Sequence, residues 1–108
     1  MKKTLLLTAL AAALTASLAH AGEKLSVAAT PVPHAEILEL IKPELAKQGV
    51  DLDIKVFTDY VQPNLQVSQK NLDANYFQTK PYLDTFNTQR GTELVICLLY
   101  TSLSGLAR

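Results

Sequence analysis

The chain has 108 residues with ten basic and ten acidic side chains, so its formal net charge at pH 7 is zero. This balance gives no reason to expect binding to nucleic acid or to an anionic membrane surface. The single cysteine, Cys97, has no second cysteine in the chain with which to form a disulfide bond. A chain of this length can bury one modest core, near the lower limit for an independent α/β domain.

The first 21 residues have the pattern of a secretory signal peptide. Lys2 and Lys3 precede an apolar run from Leu5 to Leu18, and Ala19-His20-Ala21 offers small residues at the cleavage positions. We expect cleavage after residue 21. The alternative is a membrane anchor, but the run is shorter than the roughly 18 to 20 apolar residues that a spanning helix needs. No cysteine stands beside the cleavage site, so this segment predicts a soluble periplasmic protein without a lipid anchor.

The first predicted strand and helix follow the signal peptide. Lys24 to Thr30 is mostly apolar and is followed by a proline, which is typical of a short buried strand. His34 to Gln48 has helical spacing, and Gly49 is suited to end the helix. Pro43 lies inside this pattern and predicts a kink or a division near Glu39. The apolar residues assigned to the core-facing side of this helix are Ile37, Leu38, Ile41 and Leu45.

The rest of the chain continues the alternation of strands and helices. Val50 to Phe57 alternates apolar and polar residues, which indicates a strand with one wetter face. Asp59 and Gln62 form a capping-box-like pair at the start of the second helix. Pro81 occupies the favoured first turn of the third helix, and Gly91 ends it. The remaining predicted elements are a helix over Tyr60–Lys70, a strand over Leu72–Phe77, a helix from Thr79 or Lys80 to Arg90, and a fourth strand over Thr92–Leu99.

The predicted order is β-α-β-α-β-α-β, which favours an α/β fold with a parallel sheet and right-handed crossovers. Ligands of open parallel sheets bind beyond the carboxyl ends of the strands. Three segments occupy that position: Thr30 to His34, Thr58 to Tyr60, and Phe77 to Tyr82. They offer aromatic faces, hydrogen-bonding side chains, and the free N–H groups of helix starts, which suit a carboxylate.

Each candidate also has an ordinary structural interpretation. Tyr76 and Phe77 point to opposite faces of a strand, so at least one of them should pack against a helix. Tyr82 fits a helix core, and His34 fits a helix start. The sequence shows no metal-ligand spacing, no glycine-rich phosphate loop and no nucleophile with a base. Catalysis therefore has no support, and binding of a small molecule is possible on pattern alone.

Three motifs resemble the NlpA family of substrate-binding proteins, whose best-known members are the D/L-methionine-binding components of ABC importers. The motifs are ATPVPHAEILELIKPEL, FTDYVQPNLQ and LDANYFQTKPYLDTF, and the resemblance runs from about Leu25 to Val95. It implies a periplasmic-binding-protein type II-like fold, in which two α/β lobes joined by a hinge enclose the ligand. It also implies methionine or a similar amino acid as ligand, a permease in the inner membrane as partner, no cofactor and no enzymatic activity.

The resemblance also implies a set of ligand-binding residues. Tyr60, Phe77 and Tyr82 match positions that line the family's pocket for the methionine side chain, and a thioether packs well against aromatic rings. Thr30 and His34 match a loop that borders the cleft. Thr79 stands where family members commonly have histidine, which leaves another small amino acid or a methionine-containing peptide open. The resemblance assigns Tyr76 to packing, and it assigns turn-shaping roles to Asn75, Gln78 and Pro81.

The family is more than twice as long as this chain. We therefore expect residues 1–21 to be a signal peptide and residues 22–95 to be a partial first lobe, with the second lobe missing. Residues 96–108 match nothing expected of the family, which indicates a non-native tail on a truncated product; a genuine divergent ending is the alternative. Two further interpretations remain: an exported α/β enzyme whose catalytic residues lie in the missing region, and a non-functional fragment.

Overall fold

A computed structural model of the chain describes residues 22–98. Strands and helices alternate along this part of the chain, as the sequence predicts. Between the first strand and the first helix, residues Pro31–Ala35 form an irregular turn in which Val32 is extended. The regular elements are β1 (Glu23–Ala29), α1 (Glu36–Lys47), β2 (Val50–Val56), α2 (Gln62–Ser68), β3 (Ala74–Tyr76) and α3 (Lys80–Arg90).

The three strands form one parallel sheet in the order β2-β1-β3. β1 pairs with β2 along its whole length, from Glu23 opposite Val50 to Ala29 opposite Val56. It pairs with β3 only over the last three residues of each strand. β1 is the central strand, and its second half is buried, in keeping with its run of small and apolar residues. This confirms the predicted α/β class and the parallel sheet.

The core lies between the sheet and α1. Val27 and Ala29 of β1 and Leu52 of β2 pack with Ala35 and Leu38 from the start of the helical region. The partly buried residues that complete this core are Leu45, Ile54 and Ala74.

The predicted apolar face of α1 is only partly right. Leu38 is buried and Leu45 packs against the core, whereas Ile37 and Ile41 are 38% and 42% exposed. The buried face of the helical region runs through Ala35, Leu38 and Leu45, which are three and seven residues apart. Ile37 and Ile41 lie beside this face and are therefore partly exposed.

α1 is continuous from Glu36 to Lys47, so Pro43 does not divide it, and of the two predicted effects the kink stays a prediction. The helix ends as predicted, because Gly49 adopts a positive φ of 83° and its N–H donates to the carbonyl of Ala46 at 3.1 Å. A left-handed backbone is most readily adopted by glycine. Gly49 thus reverses the chain from α1 directly into β2.

Side chains bind free N–H groups at the starts of α2 and α3. The predicted capping-box pair does not form, because the Gln62 side chain accepts a hydrogen bond from further along α2. A carboxylate oxygen of Asp59 accepts hydrogen bonds from the N–H groups of Val61 at 2.9 Å and Gln62 at 2.7 Å. Thr79 is the N-cap of α3, and its hydroxyl accepts a hydrogen bond from the Tyr82 N–H at 3.4 Å. Both side chains satisfy N–H groups that have no partner within the helix.

The predicted fourth strand is wrong for the residues that the structure describes, because residues 92–98 form no strand. Instead, the side-chain amide of Asn87 in α3 forms hydrogen bonds with polar groups of this segment. Its Nδ2 donates to the Leu94 carbonyl at 2.9 Å, and its Oδ1 accepts from the Leu94 N–H at 3.1 Å and from the Thr92 hydroxyl at 2.8 Å. These bonds hold the backbone in a loop on α3, away from any strand partner.

No helix within residues 22–98 is long and apolar enough to cross a bilayer. The predicted signal peptide and most of the predicted tail lie outside the described residues. They remain predictions.

Candidate functional site

Three aromatic side chains meet beyond the carboxyl edge of the sheet, and we call Tyr60, Phe77 and Tyr82 the aromatic wall. The rings of Tyr60 and Phe77 are stacked, with centroids 6.3 Å apart and planes 9° apart. The ring of Tyr82 meets Phe77 edge-on at 5.8 Å. These separations lie within the range of favourable aromatic pairs. Sequence reasoning chose all three residues, and the structure brings them together.

Each member of the aromatic wall comes from a different segment. Tyr60 lies in the loop between β2 and α2, Phe77 follows β3 directly, and Tyr82 lies in the first turn of α3. Parallel strands end at the same edge of a sheet, so the segments that follow them converge there. The Tyr82 hydroxyl then donates a hydrogen bond to the Tyr60 carbonyl at 2.6 Å, which ties the α3 segment to the β2–α2 loop.

The wall presents ring surface to the solvent. Tyr60 is 63% exposed, Tyr82 is half-buried, and Phe77 is only 9% exposed. Phe77 therefore backs the wall, and the two tyrosines supply most of its accessible surface. The wall is therefore open to solvent at Tyr60. A separate depression elsewhere on the surface is lined by Ala35, Leu40 and Val56, among others.

Thr30 and His34 form a second group with Tyr76. The Thr30 hydroxyl and the Nδ1 atom of His34 are hydrogen-bonded at 2.8 Å. The ring of His34 meets the ring of Tyr76 edge-on, with centroids 4.7 Å apart. Tyr76 is 38% exposed, so it packs on His34 at the surface and not in the core between sheet and helix. Of Tyr76 and Phe77, it is Phe77 that is buried, whereas the resemblance assigned packing to Tyr76.

Thr79, the sixth predicted site residue, acts locally as a helix cap. Its hydroxyl binds the N–H group of Tyr82 and so fixes the start of the helix that carries this ring. The side chain is exposed at the edge of the wall. Direct contact between Thr79 and a ligand stays a prediction.

The predicted carboxylate-binding N–H groups are largely occupied in α2 and α3. The Asp59 carboxylate takes two of them in α2, and the Thr79 hydroxyl takes that of Tyr82 in α3. Pro63 and Pro81 have no N–H to offer. These two helix starts therefore offer few free N–H groups to an anion, and anion binding at them stays a prediction.

Two carboxylates, one in the loop after β2 and one directly before β3, are stabilised in the charged form. Hydrogen bonds from the backbone N–H groups of Gln62 and then Val61 lower the pKa of Asp59 below its ordinary value of 3.8. The backbone N–H of Ser26 and then its hydroxyl, both 2.8 Å from the carboxylate, lower the pKa of Asp73 in the same way. Both residues are committed to local structure. Among residues 22–98, no three histidine, cysteine or acidic side chains lie close enough to hold a metal ion.

Sequence reasoning missed Asn64, a fully buried amide in the first turn of α2. It forms hydrogen bonds with the side chains of Asn75 and Gln78, on either side of Phe77 in the chain. No periodicity or spacing in the sequence distinguishes this asparagine from an exposed one.

These features define an α/β unit with an exposed aromatic wall at the carboxyl edge of a parallel sheet. The sequence profile of the NlpA lipoprotein family matches residues 25–103. The chain belongs to this family. The match includes residues 96–103, part of the segment predicted to be a non-native tail.

Relatives and solved structures agree with this assignment. The chain is 48% identical over 67 residues to the methionine-binding lipoprotein MetQ of Bacillus subtilis. This match covers 61% of this chain and 24% of that protein. A lipoprotein of Ruminococcus gnavus superposes with a TM-score of 0.67 at 53% identity, over 68% of this chain and 30% of that one. A nutrient-binding protein of Burkholderia cenocepacia, solved with bound methionine, gives a TM-score of 0.58 at 37% identity, over 62% and 28%. The chain thus matches about a quarter to a third of the length of these proteins.

Proposed function

We propose that this chain supplies one side of the ligand site of a substrate-binding protein that captures methionine or a similar small amino acid. The observation that carries the proposal is the aromatic wall, which lies at the carboxyl edge of the sheet in a chain of the NlpA lipoprotein family. The Burkholderia neighbour was solved with methionine, and the Bacillus relative is named for methionine binding. Both facts support a ligand with a thioether side chain.

The chemistry of the wall suits such a ligand. A thioether sulfur is polarisable and packs favourably near aromatic rings, contributing about 0.3–1.5 kcal/mol per contact. The exposed faces of Tyr60 and Tyr82 are available for this contact, and Phe77 supports them from behind. We propose a binding role without a catalytic step, because the wall consists of aromatic rings that suit contact with an apolar side chain.

The ammonium and carboxylate groups of the ligand need partners other than the wall. The N–H groups at the starts of α2 and α3 are largely used by Asp59 and Thr79. We propose that residues corresponding to the unmatched length of the relatives supply these polar contacts. A second lobe closing over the wall, release to an inner-membrane ABC permease and a periplasmic location after signal cleavage belong to the same proposal.

A titration with amino acids tests the proposal. With one wall, we expect residues 22–108 to bind L-methionine weakly, with a dissociation constant of about 1 mM or higher, which corresponds to at most about 4 kcal/mol. Ring resonances of Tyr60 and Tyr82 should shift on addition of methionine, and norleucine, which replaces the sulfur by a methylene, should give smaller shifts. Alanine, which lacks the side chain that would contact the rings, is the matched control.

Two results would contradict the proposal in different ways. Equal shifts with alanine and methionine would remove the aromatic wall from ligand recognition. Micromolar or tighter binding would show that the chain holds the polar groups of the ligand by itself, against the one-wall arrangement.

A further inference from the structure

Three side-chain amides beside the aromatic wall bind one another in a closed set, and we call Asn64, Asn75 and Gln78 the amide cluster. Asn64 Nδ2 donates to Gln78 Oε1, and Gln78 Nε2 donates back to Asn64 Oδ1, both at 2.8 Å. Asn75 Nδ2 donates to Asn64 Oδ1 at 2.8 Å and to the Pro63 carbonyl at 3.1 Å. Gln78 Nε2 also donates to Asn75 Oδ1 at 3.0 Å. All three side-chain carbonyl groups of the cluster therefore accept.

The buried side-chain amide of Asn64 requires hydrogen-bond partners. Its side chain is fully buried, and an amide without partners in such a site would cost about 1–3 kcal/mol. An apolar side chain of similar size would fill the space without that requirement. A reciprocal amide pair fixes the direction of both partners, which apolar packing does not. The cluster thus specifies how the segments that carry it are placed.

Those segments are the ones that carry the Tyr60 and Phe77 rings. Asn64 lies four residues after Tyr60 in the chain, and Phe77 lies between the two other members of the cluster. β3 has only three residues and pairs with β1 alone, so backbone pairing does not extend to Phe77. Asn75 and Phe77 are two residues apart, which puts their side chains on the same face of an extended segment.

We propose that Asn64, through Asn75 and Gln78, is a positioning residue that keeps the rings of Tyr60 and Phe77 stacked. The Tyr82 hydroxyl closes the other side of the wall by binding the Tyr60 carbonyl. The ring stack is then set before any ligand arrives. The further step, that this presetting raises affinity for a thioether side chain, rests on the proposed function.

Two near-isosteric variants perturb the cluster. Asn64→Asp replaces the Nδ2 donor by an oxygen that faces Gln78 Oε1. Gln78→Glu removes both donated bonds of Nε2 at a site that is only partly buried. Asn71→Asp is the matched control, since this exposed asparagine also donates to glutamine side chains. Ser26→Ala is the control for loss of stability, because it removes a hydroxyl that binds Asp73, apart from the cluster.

The first measurement needs no ligand. NMR of residues 22–108 reports the ring-to-ring NOEs of Tyr60 and Phe77 and their ring-current shifts. We expect both cluster variants to lose these NOEs while the backbone amides of β1 keep their shifts, and we expect both controls to retain the NOEs. A folded cluster variant with unchanged NOEs and shifts would overturn the inference. If Asn64→Asp does not fold, Gln78→Glu decides.

The second measurement tests the link to binding. We expect Asn64→Asp to raise the dissociation constant for methionine about tenfold, which corresponds to about 1.4 kcal/mol, because the wall is no longer ordered. Asn71→Asp should change the dissociation constant by less than twofold. Lost stacking with unchanged methionine response would overturn the link between the cluster and the site. A wild-type chain that shows no response to methionine would refute the proposed function, and the ring measurement would still decide the positioning role.

Discussion

Replacing Phe77 by leucine removes one aromatic ring from the wall and keeps an apolar side chain in its place. Phe77 makes two ring contacts, a stack with Tyr60 at 6.3 Å and an edge contact with Tyr82 at 5.8 Å. Aromatic pairs contribute about 0.5–1.5 kcal/mol beyond the area they bury. The Tyr60 pair is long and solvent-exposed, so we assign it about 0.5 kcal/mol, and the better-buried Tyr82 pair about 1 kcal/mol. Phe77→Leu should then lower the free energy of unfolding by about 1.5 kcal/mol.

Urea unfolding followed by far-UV circular dichroism measures this loss, because the chain has no tryptophan to serve as a fluorescence probe. A double-mutant cycle of Phe77→Leu with Tyr82→Leu isolates the ring pair, with an expected coupling of about 1 kcal/mol. The control cycle pairs Phe77→Leu with Ile54→Val, which lies against the core under α1 and should be additive within about 0.3–0.5 kcal/mol. Additivity in both cycles would show that the edge contact contributes nothing to stability.

Two further predictions concern single side chains that hold the chain locally. Hydrogen bonds from Ser26 lower the folded-state pKa of Asp73 below 3.8, so its contribution to stability is present above that value and is lost as the pH falls through the folded-state pKa. Asp73→Ala should therefore lower the urea midpoint at pH 7, and the gap from wild type should close toward pH 2; a constant gap would contradict this. Asn87→Ala removes three hydrogen bonds to residues 92–94 and should raise amide hydrogen exchange of Leu94 by at least tenfold, about 1.4 kcal/mol. Unchanged protection of Leu94 would show that other contacts hold the loop.

Much of the fold follows from local sequence signals. The alternation of strands and helices, the caps at Asp59 and Thr79 and the end of α1 at Gly49 each depend on a few neighbouring residues. The parallel sheet follows from the alternation, since helices that connect successive strands favour parallel pairing. The prediction of a fourth strand was wrong because an apolar segment forms a strand only where a partner strand is available. Here Asn87, a residue in the preceding helix, binds the backbone at Leu94.

The candidate site was predictable to a different degree. Its aromatic members follow strand ends, so the rule for parallel sheets placed Tyr60 and Phe77 near each other without knowledge of their contacts. The amide cluster was not predictable, because Asn64 and Gln78 lie 14 residues apart and neither has a spacing that marks burial. The face of α1 was misassigned for a related reason. Ala35, a small residue before the helix, contributes to the core and shifts the buried stripe.

The arrangement around the wall also bears on how strongly a single wall can bind. A side chain that is free before binding loses about 0.5–1.5 kcal/mol when a ligand immobilises it. Phe77 is already buried, and the Tyr82 hydroxyl is already bonded to the Tyr60 carbonyl, so these rings are ordered in the absence of ligand. The small free energy of thioether–aromatic contacts would then contribute to binding without being reduced by the cost of ordering these rings. If the proposed function holds, we expect such a one-sided site to retain selectivity for the side chain, with an affinity limited by the lack of contacts to the ammonium and carboxylate groups of the ligand.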